Sequence, residues 1–529
     1  MKPAVGHIRS ETRLEVQGRR SADLRSVIEA FVQNARQPVL LEAGDAPYAL
    51  AADCFSLTET GTRLTLECWT SDADSDGAAQ RNLIRRVTGI RKETKVKLEL
   101  ETEHFGGRKG ILSLVDLAHP AAAVATRQGN RLQYREQFRI SLKRQFPDWR
   151  IAELSSEQDL EHSLSPVYPR ALLRKGNQSM AAIGASEDCL EPDGVLSFGL
   201  IWLDYVRRRE PKLAVGSLAL FLPIGFEANT CHRVRYLNPN AAQFQVFAYG
   251  SGITEERVDP AAYTNFETRL DPFQSPATSR SAPYGDEALA WAEELAALDE
   301  VSSVPLPNGA VSLRVAGLEF ARMVPEHGRG NTLLYGVDRK RTAVARHLPQ
   351  IKALARGLGH LRQPDTLDRT NRTYLRQPEA WLEAQVRAQL DRVDATLVAS
   401  SLYEQAPQYM AGDRSIMDLL AADGDGRLCV IEIKASQDIH LPLQALDYWM
   451  RVKWHLERGE FARKRYFPGL ALASGARKQD APSLLLVAPA IDFHPTNETI
   501  LRYFSSDVAV TRIGVGIEWR RDLRVMFRM

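Results

Sequence analysis

The sequence predicts a multidomain α/β protein, and three observations carry that expectation. Short runs that alternate apolar and polar residues, the mark of strands, intermix with stretches of helical period along the whole chain. The chain has 529 residues, and at roughly 150 residues per domain three or four domains fit. One order of helices and strands occurs twice, over residues 130–250 and again over 377–529.

Bulk composition narrows the classes. With 44% hydrophobic and 25% charged residues, large cores can form. A formal net charge of only +2 excludes a global basic field, so any nucleic-acid contact must come from local patches. Cys54, Cys68, Cys189, Cys231 and Cys429 are odd in number, scattered and without a CxxC pair, which argues against a disulfide framework and a zinc site. The opening residues MKPAVGHIRSETRLEV carry no apolar signal region. No apolar run approaches the roughly 18 residues of a membrane helix. The expectation is a cytoplasmic protein with no membrane partner.

Residues 1–125 read as a β-rich domain, with strands at TRLEV, PVLLEA, LAADCFSL, RLTLECWT, VKLELETEHF and ILSLVDL. One helix is expected from Ser21 to Asn34, with Ser21 as its N-cap and Leu24, Val27, Ile28, Phe31 and Val32 on one face. AHPAAAVATRQGN reads as a connector. Residues 251–375 read as a linker rich in Pro, Ser and Thr, then a small α/β region with a strand pair around VSLRVAGLEF between two helices.

The repeat is carried by short strings in register. The final region reads PEAWLEAQVRAQLDR, SIMDLLAAD, LCVIEIKAS, LPLQALDYWMRV, LLLVAP, NETILRYF and AVTRIGVG. The middle region reads YREQFRISLKR, YPRALLRK, MAAIGAS, GLIWLDYVRRR, LALFLP, HRVRYL and FQVFAYG. IKAS meets IGAS, LDY meets LDY, RYF meets RYL, and Pro489 meets Pro223. In this alignment Asp418 falls opposite Ala171, Glu432 opposite Ala182 and Lys434 opposite Gly184. The middle copy is thus expected to be a degenerate one, with the apolar frame kept and the charges gone.

Those charges are where chemistry would reside. Gly424-Asp425-Gly426 predicts a hairpin between a strand carrying Asp418 and a strand carrying Glu432 and Lys434. Glu432 and Lys434 share a face because side chains alternate along a strand. Two carboxylates side by side make a hard oxygen site for Mg²⁺ or Mn²⁺. An ammonium two residues on can orient a water or neutralise charge on a phosphate. An ExK string alone is common, but here it sits in an apolar strand, where an acid and a lysine are costly unless paired or metal-bound.

This segment resembles the PD-(D/E)xK, restriction-endonuclease-like superfamily of nucleases. Met417-Asp418 stands for its Pro-Asp, without the proline, and Glu432-Ile433-Lys434 for its (D/E)xK element. Gln444 and Tyr448 match the QxxxY motif of the RecB-like and lambda-exonuclease-like branch. The resemblance implies a mixed sheet flanked by helices over 377–529. It assigns Asp418, Glu432, Lys434, Gln444 and Tyr448 to the active site, and Glu383 as a further metal ligand beside Asp418 and Glu432. It also implies Mg²⁺-dependent phosphodiester hydrolysis, with DNA the expected substrate. The rivals are an RNase on the same fold and a non-catalytic nucleic-acid-binding scaffold. No Walker motif is present, so a helicase or ATPase partner would be another chain; a homodimer is the other expected partnership.

Two basic stretches suit nucleic acid. Arg81, Arg85, Arg86, Arg91, Lys92, Lys95 and Lys97 form the first. The second lies where the final region is much longer than its copy, between Tyr448 and Pro489. Arg463, Lys464, Arg465 and Tyr466 there are expected to contact phosphates and stack on bases next to the active site, with Phe461, Phe467, Arg477 and Lys478 nearby. Asp438 and His440 lie in the loop before the QxxxY helix; His440 is read as a helix-capping residue more readily than as a proton donor.

Overall fold

In the computed structural model, residues 21–529 are described apart from 43–47, 51–54, 61–62, 70–81, 94–96, 104–108, 117, 119, 188, 190, 251–252, 267, 271–286, 307–308, 327–329, 411–412 and 476. The chain divides into two compact units, Met1–Arg144 and Gln145–Met529.

The first described element of the first unit is α1 (Ser21–Asn34), which buries Leu24 and Ile28. Its strands are β1 (Pro38–Glu42), β2 (Tyr48–Ala49), β3 (Phe55–Thr60), β4 (Arg63–Trp69), β5 (Asn82–Glu93), β6 (Lys97–Glu103) and β7 (Lys109–Asp116). They form one antiparallel sheet in the order β2-β1-β7-β6-β5-β4-β3. Alternation explains it: Leu64, Leu66 and Cys68 on β4, and Leu98 and Leu100 on β6, point to one side and are buried. The TRLEV run, Arg81 and Lys95 lie outside the described residues. The expected connector after β7 is instead the first half of a long helix, α2 (Pro120–Gln145). Alanines favour helix, and neither a proline nor a pair of glycines interrupts the stretch after Pro120.

In the second unit, the middle region builds β8 (Arg150–Ser155), β9 (Arg170–Lys175), β10 (Gln178–Gly184), α3 (Gly194–Arg209), β11 (Ala214–Pro223), α4 (Glu227–Val234), β12 (Gln243–Gly250) and β13 (Ile253–Val258). A short β14 (Arg269–Leu270) follows and pairs with a strand of the C-terminal sheet. Part of the expected linker is therefore edge strand: β13 closes the middle sheet, and β14 extends the other.

Next come α5 (Glu287–Ala296), β15 (Val301–Pro305), β16 (Val311–Val315), β17 (Leu318–Glu326), β18 (Gly330–Tyr335), β19 (Arg341–Thr342), α6 (Leu348–Leu361) and α7 (Arg372–Leu375). The strands form a five-stranded antiparallel sheet in chain order, with α5 and α6 on its apolar face, where the sequence suggested one strand pair. Gly317, at φ +79°, lets the turn after β16 touch the Ala380 carbonyl, which a Cβ there would strike at 2.0 Å.

The final region contains α8 (Pro378–Ala388), α9 (Leu390–Val393), β20 (Leu397–Met410), β21 (Asp413–Asp423), β22 (Leu428–Ile433), α10 (Leu441–Glu457), α11 (Glu460–Arg463), β23 (Ser483–Pro489), α12 (Pro495–Leu501), β24 (Ala509–Val515) and β25 (Val525–Arg528). Its sheet runs β14-β20-β21-β22-β23-β24-β25.

The middle sheet and the C-terminal sheet share one topology. Along β8 to β13 the successive pairings are antiparallel, antiparallel, parallel, parallel and antiparallel. Along β20 to β25 they are the same five in the same order. Each parallel step is bridged by a helix, as a crossover requires: α3 and α4 in one, α10 and α12 in the other. The last carbonyls match too, Ile224 N–H donating to Tyr249 and Ala490 N–H to Val515.

The two copies also share a core. One apolar cluster takes Leu172, Ile183, Trp202 and Leu220 from the middle copy and Leu420, Val430, Trp449 and Leu486 from the C-terminal one. The four crossover helices lie on this shared side, α3 against α12 and α10 against α4. The segments following α4 and α12 pair across it: Asn238 N–H donates to Tyr503 O, and Ser505 N–H to Tyr236 O. Those are the RYL and RYF strings, placed against each other. The opposite face of the C-terminal sheet packs Leu419, Ile431, Ile433 and Val487 on Trp381 and Val386 of α8.

Candidate active site

Leu419 pairs with Ile431 across the β21–β22 hairpin, so Asp418 and Glu432 stand one step further along, side by side. Asp423 and Arg427 close the turn between them, with Gly426 at φ +79°. Alternation puts Asp418, Glu432 and Lys434 on the shared-core face, in line with Leu420 and Val430.

Glu432 is 1% exposed. Its Oε1 lies 3.5 Å from Lys434 Nζ, and its Oε2 is buried without a hydrogen-bond partner. Asp418 Oδ2 accepts from the Ile433 N–H at 2.8 Å. Burial is the main force on both acids and favours their neutral forms. It pushes Asp418 up to about 6, against the Ile433 hydrogen bond and the Lys434 charge. It pushes Glu432 well above the usual carboxylate range, and Asp418 pushes the same way. Burial alone would lower Lys434, but the surrounding acids Glu432, Glu379, Asp418 and Asp438 hold it above its ordinary value.

Glu379, in the first turn of α8, is the helix acid whose field acts on Asp418, Glu432 and Lys434. Glu383 sits one turn later and is buried; at i, i+4 it lies on the same helix face.

Gln444 and Tyr448 occupy α10, which packs on β22 and β23. The Gln444 amide hydrogen-bonds the Tyr448 hydroxyl, and burial together with the Glu432 charge raises the phenol. Tyr448 thus lies within electrostatic reach of Glu432 and Asp418. Asp438 lies 4.0 Å from Lys434 Nζ and accepts the His440 N–H at 2.7 Å. His440 occupies the N-cap position of α10, but its ring makes no cap; Nδ1 meets Ser197 Oγ of α3 at 2.9 Å. Burial lowers its pKa.

The helix-capping role expected of the His440 side chain is thus not seen, and two further expectations are corrected. The positions of the middle copy that match the acids are shifted by one residue. Ile183 and Gly184 pair with Leu220 and Phe221, as Glu432 and Ile433 pair with Leu486 and Val487. Ala185 N–H donates to Phe221 O as Lys434 N–H donates to Val487 O. Ile183 therefore matches Glu432, Ala185 matches Lys434, and Arg170, which pairs with Ile183, matches Asp418. Ala171, Ala182 and Gly184 lie on the other face. A one-residue slip flips every side chain, and short shared strings do not fix that parity.

The second correction concerns the long insertion. Tyr466 is 5% exposed, packed with Phe461 and Tyr403 in the shared core, so it offers no ring to a base. Phe461 and Phe467 are buried likewise. The insertion docks at the hairpin end of β22: Ala473 N–H donates to Gly426 O. Elsewhere along the insertion the Phe467 N–H donates to the Tyr403 hydroxyl of β20, and Tyr403 pairs with Leu420, two residues from Asp418. Arg463 and Arg465 are exposed, while Lys464 bonds the Leu270 carbonyl of β14. In the first basic stretch, Arg86 pairs with Glu103 and Lys97 with Glu99.

No group of three or more His, Cys, Asp and Glu side chains arranged to hold a metal occurs among the described residues, and none of their helices is long and apolar enough to cross a membrane. No known family model matches the chain, and no curated protein is similar to it.

Proposed function

We propose that the C-terminal region is a divalent-metal-dependent nuclease that hydrolyses phosphodiester bonds, DNA foremost, at Asp418, Glu432 and Lys434. The observation that carries this reading is Glu432: a fully buried acid with one oxygen unpartnered, beside a partly buried second acid and a lysine. Leaving such a group unmatched costs on the order of 1–3 kcal/mol or more. Structure alone gains nothing from it, whereas a cation-binding site needs it. The donor set fits Mg²⁺ or Mn²⁺, hard ions that take carboxylate oxygens. Two carboxylates suffice, because Mg²⁺ commonly keeps waters and substrate phosphate oxygens in its other positions.

Asp418 and Glu432 would hold the ion through Oδ and Oε2, and the ion when bound would supply Lewis-acid polarisation of the phosphate and a more acidic water. Lys434, held protonated by four acids, can neutralise charge that grows on the phosphate oxygens. Gln444 and Tyr448, bonded to each other beside Glu432, can donate to a phosphate or to the attacking water. Incubating plasmid, linear and single-stranded DNA, and RNA, with the full chain with and without Mg²⁺ or Mn²⁺ tests the reading. Cleavage that requires the ion and disappears in Glu432→Gln supports it.

A second reading is a non-catalytic nucleic-acid-binding scaffold, favoured by the lack of a three-acid metal cluster among the described residues. Calorimetric titration with Mn²⁺ separates the two, because a scaffold has no use for an ion at Asp418 and Glu432.

A further inference from the structure

Two polar tethers cross from the middle copy to the elements that frame the candidate site. The first starts at Arg233 on α4. Its Nε and Nη2 donate to the two carboxylate oxygens of Asp447 on α10, at 2.8 and 2.7 Å. Its Nη1 donates to the Asp193 carbonyl, next to the start of α3, at 2.9 Å. Both side chains of the pair are about nine-tenths buried. Asp447 lies between Gln444 and Tyr448, so this fork fixes the rotation of the helix that presents them. The second tether is Ser197 Oγ to His440 Nδ1. His440 shares the loop with Asp438, which it caps through its backbone N–H and which faces Lys434. Gly194 allows the close fit: a Cβ there would stand 2.3 Å from the Tyr168 hydroxyl and 3.2 Å from His440 Cε1.

We infer that the middle copy acts as a built-in positioning partner, its Arg233 and Ser197 holding α10 and the 434–440 loop in the geometry the C-terminal site requires. The inference rests on the nuclease reading for its kinetic consequence, but its structural content stands apart from activity. The tethers reach the two segments that carry Lys434, Asp438, Gln444 and Tyr448, one at each. A charge pair with planar, bidentate geometry gives orientation as well as attraction, and orientation is what a site assembled from separate elements needs. Apolar packing between the copies, by contrast, is non-directional.

The test separates positioning from mere cohesion. In Arg233→Met/Asp447→Leu both charges leave together, a replacement that commonly preserves stability. Ser197→Ala removes a single oxygen. For each full-length variant three quantities are measured: the melting temperature, amide hydrogen exchange over residues 434–448, and kcat and KM for cleavage. Positioning predicts a melting temperature near that of the parent, faster exchange confined to 434–448, and kcat down about tenfold or more at unchanged KM. Parental exchange in that segment in both variants overturns the inference, whatever the activity. So does parental kcat in a folded variant whose segment has loosened. If the double variant fails to fold, Ser197→Ala decides by the same criteria. A parent chain that cleaves nothing removes the nuclease reading, and exchange over 434–448 then judges the tethers alone.

Discussion

The C-terminal sheet carries Asp418, Glu432 and Lys434 on the face where the middle sheet carries Arg170, Ile183 and Ala185. Strand order, crossover helices and the shared core agree between the copies; they differ in what these strand positions hold and in the insertion after α10. In the middle copy Ile183 and Ala185 are plain core. Arg170 is buried over the Trp202 ring at 5.5 Å, and it donates to the Glu157 carbonyl. In the C-terminal copy the same positions hold two acids that burial drives toward protonation. A frame of this kind is stable with or without charges, because the apolar positions set it. Buried charge is the expensive part in both copies, and only the C-terminal one holds paired carboxylates, which the proposed reading assigns to a cation.

The largest expected effect sharpens that contrast directly. Asp418→Ala, Glu432→Ala and Lys434→Ala should each lower cleavage by roughly a hundredfold or more, as loss of a charge-stabilising group does. Arg170→Met or Ala185→Ser should leave kcat within a small factor of the parent. Rates measured on plasmid at saturating Mg²⁺ decide it, and equal losses in the two copies would break the comparison.

Separating the copies should come next in size. Trp449 is fully buried against Tyr236, and its indole N–H donates to the Pro482 carbonyl. Residues 377–529 expressed alone should be insoluble or loosely packed, because their half of the shared core would face water. In the full chain Trp449→Ala should cost about 3–5 kcal/mol, read from denaturant unfolding. A soluble, folded and active fragment would show that the middle copy is dispensable.

The acids also predict a dependence on pH and metal. Asp418 and Glu432 both bind their protons more tightly folded than unfolded. Their contribution to the stability of the metal-free chain is therefore full at low pH and is lost as pH rises from the ordinary carboxylate range through about 6 for Asp418, and higher for Glu432, which is raised further by its neighbour. A divalent ion must displace those protons, so its affinity rises over the same window. At a hundredfold excess over Kd the ion stabilises by about 2.7 kcal/mol. Mg²⁺ should thus raise the melting temperature clearly at pH 8 and little at pH 5, and Asp418→Asn should flatten the difference. An equal shift at both pH values would argue against binding at this pair.

The smallest effects belong to the insertion, which the middle copy lacks. Neutralising Arg463 and Arg465 together should change cleavage less than about twofold, since both are exposed and neither is among the groups whose charge acts on Asp418, Glu432 or Lys434. Surface substitutions of this kind usually leave stability within about 0.5 kcal/mol. A large loss of DNA affinity in a filter-binding assay would show that the substrate runs over the insertion.

Much of this was legible before any coordinates. Period-two alternation gave the strands, the Gly424-Asp425-Gly426 turn gave the hairpin that sets Asp418 beside Glu432, and four short strings gave the repeated order of elements. These are local properties: a turn and an alternation are decided within about ten residues, and the chain cannot conceal them. Three things were decided only by tertiary structure. Parity between the copies depends on which face the helices cover, which placed Arg170, Ile183 and Ala185 opposite the site. The aromatics around Tyr466 are core because the insertion folds back on the hairpin; their composition matched an exposed binding surface equally well. His440 turns to Ser197, more than two hundred residues earlier in the chain, because packing α3 against α12 and α10 against α4 brings the starts of α3 and α10 together. Long-range pairings of this kind follow from how apolar faces close on one another, and that closure is a property of the whole core.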